Sequence, residues 1–398
     1  MIACMTLFIS RRTTLKAAAG TASGTAFAGS PAARAATDGP ILKPLPARCF
    51  VDFGTNAEMR WDSVAPGKYL TDPSRLFVRD HTSTPRIDAR SYRLALFGDG
   101  LREARTEAGA VSLSLADLRS LPRTTITAVH ECTGNGRSYF DTQQHQPAAG
   151  TQWRMGAVGA VTWTGARLAD LFARIGLAPE AVDVMATGLD PHYVSAGVDY
   201  GAVRRPFPVA KALGDALLAW EMNGKPLLPD HGFPLRLVLP GWVGIASIKW
   251  LGSLEVARRP LTSPWNTKWY RMTGPSYPAD SPPLTVLPVR TAWELPTVAD
   301  LPQDGGKLLH GRSWSGAGRI ARVDVSTDGG GTWLPARLTE PGQAWTRWRF
   351  RWPGATTGQH TLMARATDVT GRTQPLVTPY NDGGYFFDAV VRQPVRVP

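Results

Sequence analysis

Cysteine is scarce in this chain: three among 398 residues, at Cys4, Cys49 and Cys132. That is no disulfide framework, and Cys49 with Cys132 offers at most one bridge. No C-x-x-C-H occurs, so the sequence holds no covalent c-type haem site, and so few thiols exclude an iron–sulfur cluster. The seven histidines show neither H-E-x-x-H nor another zinc spacing. Gly134-Asn135-Gly136 opens like a dinucleotide fingerprint, but Tyr139 stands where the third glycine belongs, so a Rossmann nucleotide site is not supported. Long apolar runs are missing too, and no membrane span is expected. Lys/Arg blocks are absent, and the aromatic residues are mostly tryptophans inside apparent strands, which argues against a nucleic-acid partner.

What is present describes a folded protein of two or three domains. Hydrophobic residues make up 43% and charged residues 19%, ordinary globular values. The net charge is +12; Arg11, Arg12, Lys16 and Arg34 precede the first acid, Asp38, so the remainder carries +8. Such an excess suits anions or an acidic protein partner. Ser10-Arg11-Arg12-Thr13-Thr14-Leu15-Lys16 leads into a small-residue run, Ala17 to Ala33, and then Ala33-Arg34-Ala35. A twin arginine before a weakly apolar region and an A-x-A site reads as a twin-arginine export signal over residues 1–35, although Thr14 replaces the usual Phe. The expected destination is the periplasm.

Residues 36–273 mix helices and strands. Leu113 to Leu121 has Ser114 and Asp117 at capping-box spacing and Leu115, Leu118 and Leu121 on one face, which predicts a short helix. Gly165 to Ile175 repeats the pattern and closes at Gly176, a C′ glycine. Phe233 to Leu239 is a nearly continuous apolar run that predicts a buried strand. From Gly274 to Pro302 prolines and turn residues accumulate as a connector. Beyond it, Val323 and Val325 alternate with polar residues before the turn Asp328-Gly329-Gly330-Gly331. Trp348, Phe350 and Trp352 alternate with Arg347, Arg349 and Arg351, giving one apolar and one cationic face. Residues 274–398 thus read as an immunoglobulin-like β-sandwich, and the whole chain as α+β.

The chemistry gathers around one cysteine. Ile126 to His130 reads as a strand delivering Glu131-Cys132-Thr133-Gly134-Asn135-Gly136-Arg137, with two glycines that permit a tight turn. Arg137 can stabilise a thiolate or hold an oxyanion, and a thiolate is the soft ligand a redox-active metal selects. A lone cysteine is more often a buried hydrophobe, so the residues alone define a candidate reactive or metal-binding thiol.

At this segment the sequence resembles the sulfite oxidase family of molybdenum enzymes, and the likeness runs from about residue 42 to 398. Glu131 to Arg137 is similar to the family's C-[AT]-G-N-x-R, and Phe77-Val78-Arg79-Asp80-His81 to its F-x-R-N-H, with Asp80 replacing Asn. Glu221 to Leu227, Asp230 to Arg236, Ser247 to Leu251 and Ser263 to Tyr270 match further family segments in the right order.

The resemblance implies one molybdenum-molybdopterin per chain, its metal ligated by Cys132, in a sulfite-oxidase-type domain followed by a dimerisation sandwich. It implies Arg79, Arg137 and Tyr270 in the substrate pocket, with Trp153 at its wall. Phe77, Val78, Arg79, Asp80, His81, Asp190, His231, Arg236, Ser247, Ile248 and Lys249 would hold the cofactor. Where animal members carry a further pocket arginine, this chain has Gly383, so the pocket is less positive. No haem is expected in this chain, which points to the bacterial periplasmic sulfite dehydrogenase type. The expected activity is oxidation of sulfite to sulfate by a homodimer, with electrons passed to a separate c-type cytochrome. The alternatives are a molybdenum oxidoreductase for another small sulfur compound and a catalytically silent subunit of a sulfur-oxidising complex.

Overall fold

The computed structural model describes residues 39–398, apart from 65–66 and 302–306. The expected export signal at 1–35 lies outside the described residues. No helix among those described is long and apolar enough to cross a membrane.

Local chemistry sets the short helices. The Ser114 hydroxyl accepts from the Asp117 amide at 3.2 Å while the Asp117 carboxylate accepts from the Ser114 amide at 2.8 Å. This capping box starts Leu115–Arg119 and turns Leu115 and Leu118 into the core. The helix Leu168–Ile175 does end at Gly176, at φ 93°. It begins later than the periodicity predicts because Gly165 still belongs to the strand Val158–Arg167, where a side chain would collide with the Leu218 carbonyl. The buried strand expected over Phe233–Leu239 is confined to Arg236–Val238. Pro234 has no amide hydrogen to give a ladder.

Two sheets carry the larger half. One runs Arg204–Pro208, Asp183–Gly188, Leu251–Ala257, Leu94–Phe97, Val111–Leu113, and its Leu251–Ala257/Leu94–Phe97 pair is parallel. The other runs Lys225–Pro226, Leu217–Met222, Val158–Arg167, Arg123–Glu131 and is antiparallel. Leu94, Leu96, Leu118, Leu171, Phe172, Leu218 and Leu254 join them in one core.

The C-terminal half is a sandwich. A four-stranded sheet contains Arg290–Trp293, Lys307–Trp314, Thr346–Trp352 and Arg337–Pro341; a five-stranded sheet contains Ile320–Ser326 and Gly358–Asp368 at its centre. Trp348, Phe350 and Trp352 point inward against Val323, Val325 and Leu362, as the alternation predicts. The two halves share a third core, in which Met59, Phe140 and Met155 meet Trp314, Trp345 and Phe387. Through that seam, residues near the C-terminus reach the cysteine loop.

Candidate active site

The strand Arg123–Glu131 ends one residue before Cys132. The chain then turns tightly. The Asn135 amide donates to the Cys132 carbonyl at 2.9 Å and the Arg137 amide to the Gly134 carbonyl at 3.0 Å. Gly136 sits at φ 87°, the one position of the turn where glycine's freedom is needed. The turn is pinned from behind. Fully buried Glu131 accepts from Asn135 Nδ2 and Arg290 Nη1, both at 2.8 Å, and from Trp314 Nε1 at 2.9 Å. Arg290 and Trp314 belong to the sandwich, so both halves of the chain hold the cysteine loop. Cys132 is buried and unbridged, as is Cys49, so the single disulfide the sequence allowed is not formed.

Two cavities meet at Cys132, Arg79, Asp80, His81 and Tyr270. The outer one, about 520 Å³, is also lined by Arg137, Trp153, Lys268, Arg271 and Tyr385. Arg79 Nη2 donates to the Tyr270 hydroxyl at 3.4 Å and approaches His81 Nε2 at 3.1 Å. Trp265 Nε1 donates to that same nitrogen at 3.2 Å, so His81 accepts there and is neutral. Burial, with the neighbouring Arg79 charge, pushes its pKa well below the ordinary histidine value. Burial pushes the Tyr270 phenol up, leaving its proton available as a donor. Tyr270 also holds φ 57°, a conformation a non-glycine residue rarely adopts and one that costs on the order of 1–3 kcal/mol. Arg137, 8% exposed, gives Nε to the Gly383 carbonyl at 3.0 Å and Nη1 to the Thr151 carbonyl at 2.9 Å.

The deeper cleft is lined by Phe77, His130, Thr133, Asp190, His231, Arg236, Ser247, Ile248 and Lys249. Arg236 is 1% exposed and donates to the His231 and Ser247 carbonyls, each at 3.0 Å. It has no carboxylate partner among the described residues, and its Nε has no hydrogen-bond partner. The buried Thr133 hydroxyl is likewise unpaired. A buried guanidinium without a counter-ion calls for an anion. Burial lowers the pKa of Arg236 to about 9, and keeps His130 and His231 neutral donors or acceptors. Lys249 pairs with Asp80 and donates to the Asp230 carbonyl at 2.8 Å. Asp190, its pKa raised to about 6 by burial, accepts from the Val203 amide at 3.1 Å. This donor set fits a phosphate-bearing pterin, with Cys132 as the thiolate for its metal. No three His, Cys, Asp or Glu side chains converge anywhere among the described residues, so Cys132 stands alone as the protein's ligand candidate for that metal.

Of the residues chosen from sequence, all but Val78 line one cavity or both. Val78 packs with Ile41, Cys49, Phe50 and Ala57, so only its backbone serves the segment. Sequence reasoning missed His130, Thr133 and Tyr385 on the linings and Glu131, Arg290 and Lys43 behind them. His130 stacks on Phe77 at 5.8 Å, and its position just before Glu131-Cys132 was the available signal. Buried Lys43 Nζ lies 3.4 Å from His231 Nε2, and no local pattern marks it.

Residues 81–265 match the model of the oxidoreductase molybdopterin binding domain, and 297–386 that of the Mo-co oxidoreductase dimerisation domain. The chain is 36% identical over 327 residues to mitochondrial sulfite oxidase of Homo sapiens, covering 77% of this chain and 57% of that protein's length. It is 36% identical over 329 residues to sulfite oxidase of Gallus gallus, covering 77% and 68%. Its fold matches the sulfane dehydrogenase SoxCD from Paracoccus pantotrophus with a TM-score of 0.73 at 26% identity, over 94% of this chain and 95% of that one. With the cysteine turn, the anion-seeking cleft and the sandwich already in place, these matches show that the chain belongs to the sulfite oxidase family of molybdopterin oxidoreductases.

Proposed function

We propose that this protein oxidises sulfite to sulfate and hands the electrons, one at a time, to a separate c-type cytochrome. The observation that carries the reading is the convergence of Arg79, Arg137 and Tyr270 on the cavity that also exposes Cys132. The balance is sulfite plus water giving sulfate, two protons and two electrons. When bound, the molybdenum-pterin group supplies the two-electron exchange that side chains cannot perform. His231, Arg236, Ser247, Ile248 and Lys249 would hold the pterin and its phosphate, together with Phe77, Asp80, His81 and Asp190 of the same cleft. Arg79 and Arg137 bind and orient the oxyanion through charge-assisted hydrogen bonds. Tyr270, kept protonated by burial, donates its hydroxyl proton toward an anion held between them. Trp153, 1% exposed, closes one wall against water.

The sandwich, matching a dimerisation model, is assigned to a symmetric homodimer. From the twin-arginine segment we further propose export to the periplasm. A second reading, oxidation of another small sulfur compound, is favoured by Gly383, which adds no cation to the cavity it lines. Metal and pterin analysis of the purified protein, followed by a sulfite assay with ferricyanide, tests both. Molybdenum with sulfite turnover supports the first reading, and molybdenum without it supports the second. Absence of molybdenum overturns both.

A further inference from the structure

Tyr385 is not part of any motif named above, yet its ring lines the outer cavity. It stacks on Tyr270, with centroids 5.3 Å apart and planes 16° from parallel. The Arg137 guanidinium lies over it at 5.5 Å from the centroid. The ring is held in place by its backbone. Fully buried Asn381 accepts from the Tyr385 amide and donates to the Tyr385 carbonyl, both at 2.8 Å. The next residue, Phe386, gives its amide to the Thr133 carbonyl at 3.1 Å, beside Cys132. Gly383 completes the arrangement. A Cβ there would collide with Cδ2 and Cε2 of the Tyr385 ring, while its carbonyl already anchors Arg137.

We propose that Tyr385 is a specificity-determining residue. Its ring takes the volume that any side chain at position 383 would need, and so keeps a further cation off the wall beside Arg137. The inference rests on the sulfite-oxidation reading and deepens it. Sulfate is a dianion, and a further cation at this wall, added to Arg79, Arg137, Lys268 and Arg271, would hold the product more tightly and slow its release. The same ring keeps Arg137 and Tyr270 in register through cation–π contact and stacking. Without the ring, a side chain at 383 would extend into its place, beside Arg137 and Tyr270.

The test is a double-mutant cycle on the cofactor-loaded full chain. Sulfate binding is measured by titration calorimetry, and sulfite kcat and KM with ferricyanide as acceptor. Gly383→Ala should weaken sulfate binding about tenfold, because even one carbon overpacks against the ring and disturbs its contacts with Tyr270 and Arg137. Adding Tyr385→Ala should remove that penalty, so that Gly383→Ala/Tyr385→Ala equals Tyr385→Ala alone. Gly383→Arg/Tyr385→Ala should bind sulfate about tenfold or more tightly than Tyr385→Ala, with a lower KM for sulfite and a kcat limited by product release. Should the arginine variant not fold, the alanine cycle decides. Equal effects of Gly383→Ala with and without Tyr385 would overturn the proposal. Wild-type protein that binds sulfate but leaves sulfite unoxidised would sink the sulfite reading alone, and the binding cycle would still decide Tyr385.

Discussion

Arg79 touches the Tyr270 hydroxyl, His81 and its own neighbour's carbonyl, so it both faces the cavity and orders what else faces it. Arg79→Gln should lower sulfite kcat/KM by roughly 10²–10⁴ while sparing molybdenum content, since up to two charge-assisted bonds of about 1.5–3 kcal/mol are lost. Steady-state kinetics beside metal analysis checks both halves, and an unchanged kcat/KM would remove Arg79 from the pocket. Glu58 carries a different signal. It is 3% exposed, burial raises its pKa to about 7 from an ordinary 4.5, and it accepts from the Gly156 amide at 2.8 Å. Between those two values the folded state binds more protons than the unfolded one, so stability falls as pH rises. Glu58→Gln keeps the acceptor without the charge. It should match wild type near pH 4 and be more stable above pH 7, by up to about 3 kcal/mol. Denaturant curves at the two pH values measure this, and a constant difference would refute it. Neither residue's environment was equally legible. Arg79 sits in a contiguous motif whose order in the chain carries its meaning. Glu58 and Tyr385 matter through neighbours distant in sequence, Gly156 for one and Tyr270 for the other, so no local pattern announces them.

At the level of elements, the strand Arg123–Glu131 and the turn after it deliver Cys132, and the sandwich holds that turn in place. The Arg290–Glu131 pair is buried on both sides, with side chains 1% and 0% exposed. Removing one member leaves the other charge buried with neutral partners only, which typically costs about 3–5 kcal/mol. Arg290→Met should therefore lower the unfolding midpoint strongly and also reduce retained molybdenum, because Arg290 further donates to the Asn135 carbonyl inside the cysteine turn at 2.6 Å. Calorimetry with metal analysis reads both; a stability loss with full metal retention and full turnover would make the pair structural only. Much at this scale was readable in advance. The capping box at Ser114, the C′ glycine at Gly176 and the period-two alternation of Trp348, Phe350 and Trp352 are local rules. The helix start after Ser114, the helix end at Gly176 and the strand Thr346–Trp352 followed them, although the first helix stops at Arg119 rather than Leu121 and Leu113 closes the strand Val111–Leu113. The misplaced boundaries lie where tertiary contact overrode pattern. Gly165 reads as a helix start but serves a close strand approach to Leu218, and Pro234 shortens an apolar run that hydrophobicity alone extends. The partnership of Arg290 and Trp314 with Glu131 spans more than 150 residues, beyond the reach of any periodicity.

For the molecule as a whole, the proposed oxidation raises the question of where its two electrons go. No cluster of metal-ligating side chains is found among the described residues, and the sequence has no C-x-x-C-H. On the proposed reading, a separate acceptor approaches the mouth of the outer cavity or the pterin edge. Lys268 and Arg271 line that cavity, and the chain beyond Asp38's predecessors carries +8. An acidic cytochrome fits such a surface, since opposite potentials raise the encounter rate without adding much affinity. The screening length is about 10 Å at 0.1 M salt, so steering acts at low ionic strength and fades above it. Cytochrome-linked turnover should fall several-fold as salt rises from about 10 mM to several hundred millimolar. Turnover with ferricyanide, which needs no protein docking, supplies the reference for any effect of salt on sulfite binding itself. Lys268→Glu should reproduce part of the loss at low salt in the cytochrome assay, and it should flatten the salt dependence, because a reversed charge at the mouth opposes the same partner. Cytochrome-linked rates that stay level across salt, after correction by the ferricyanide series, would mean that docking is apolar and that the basic excess lies elsewhere on the surface.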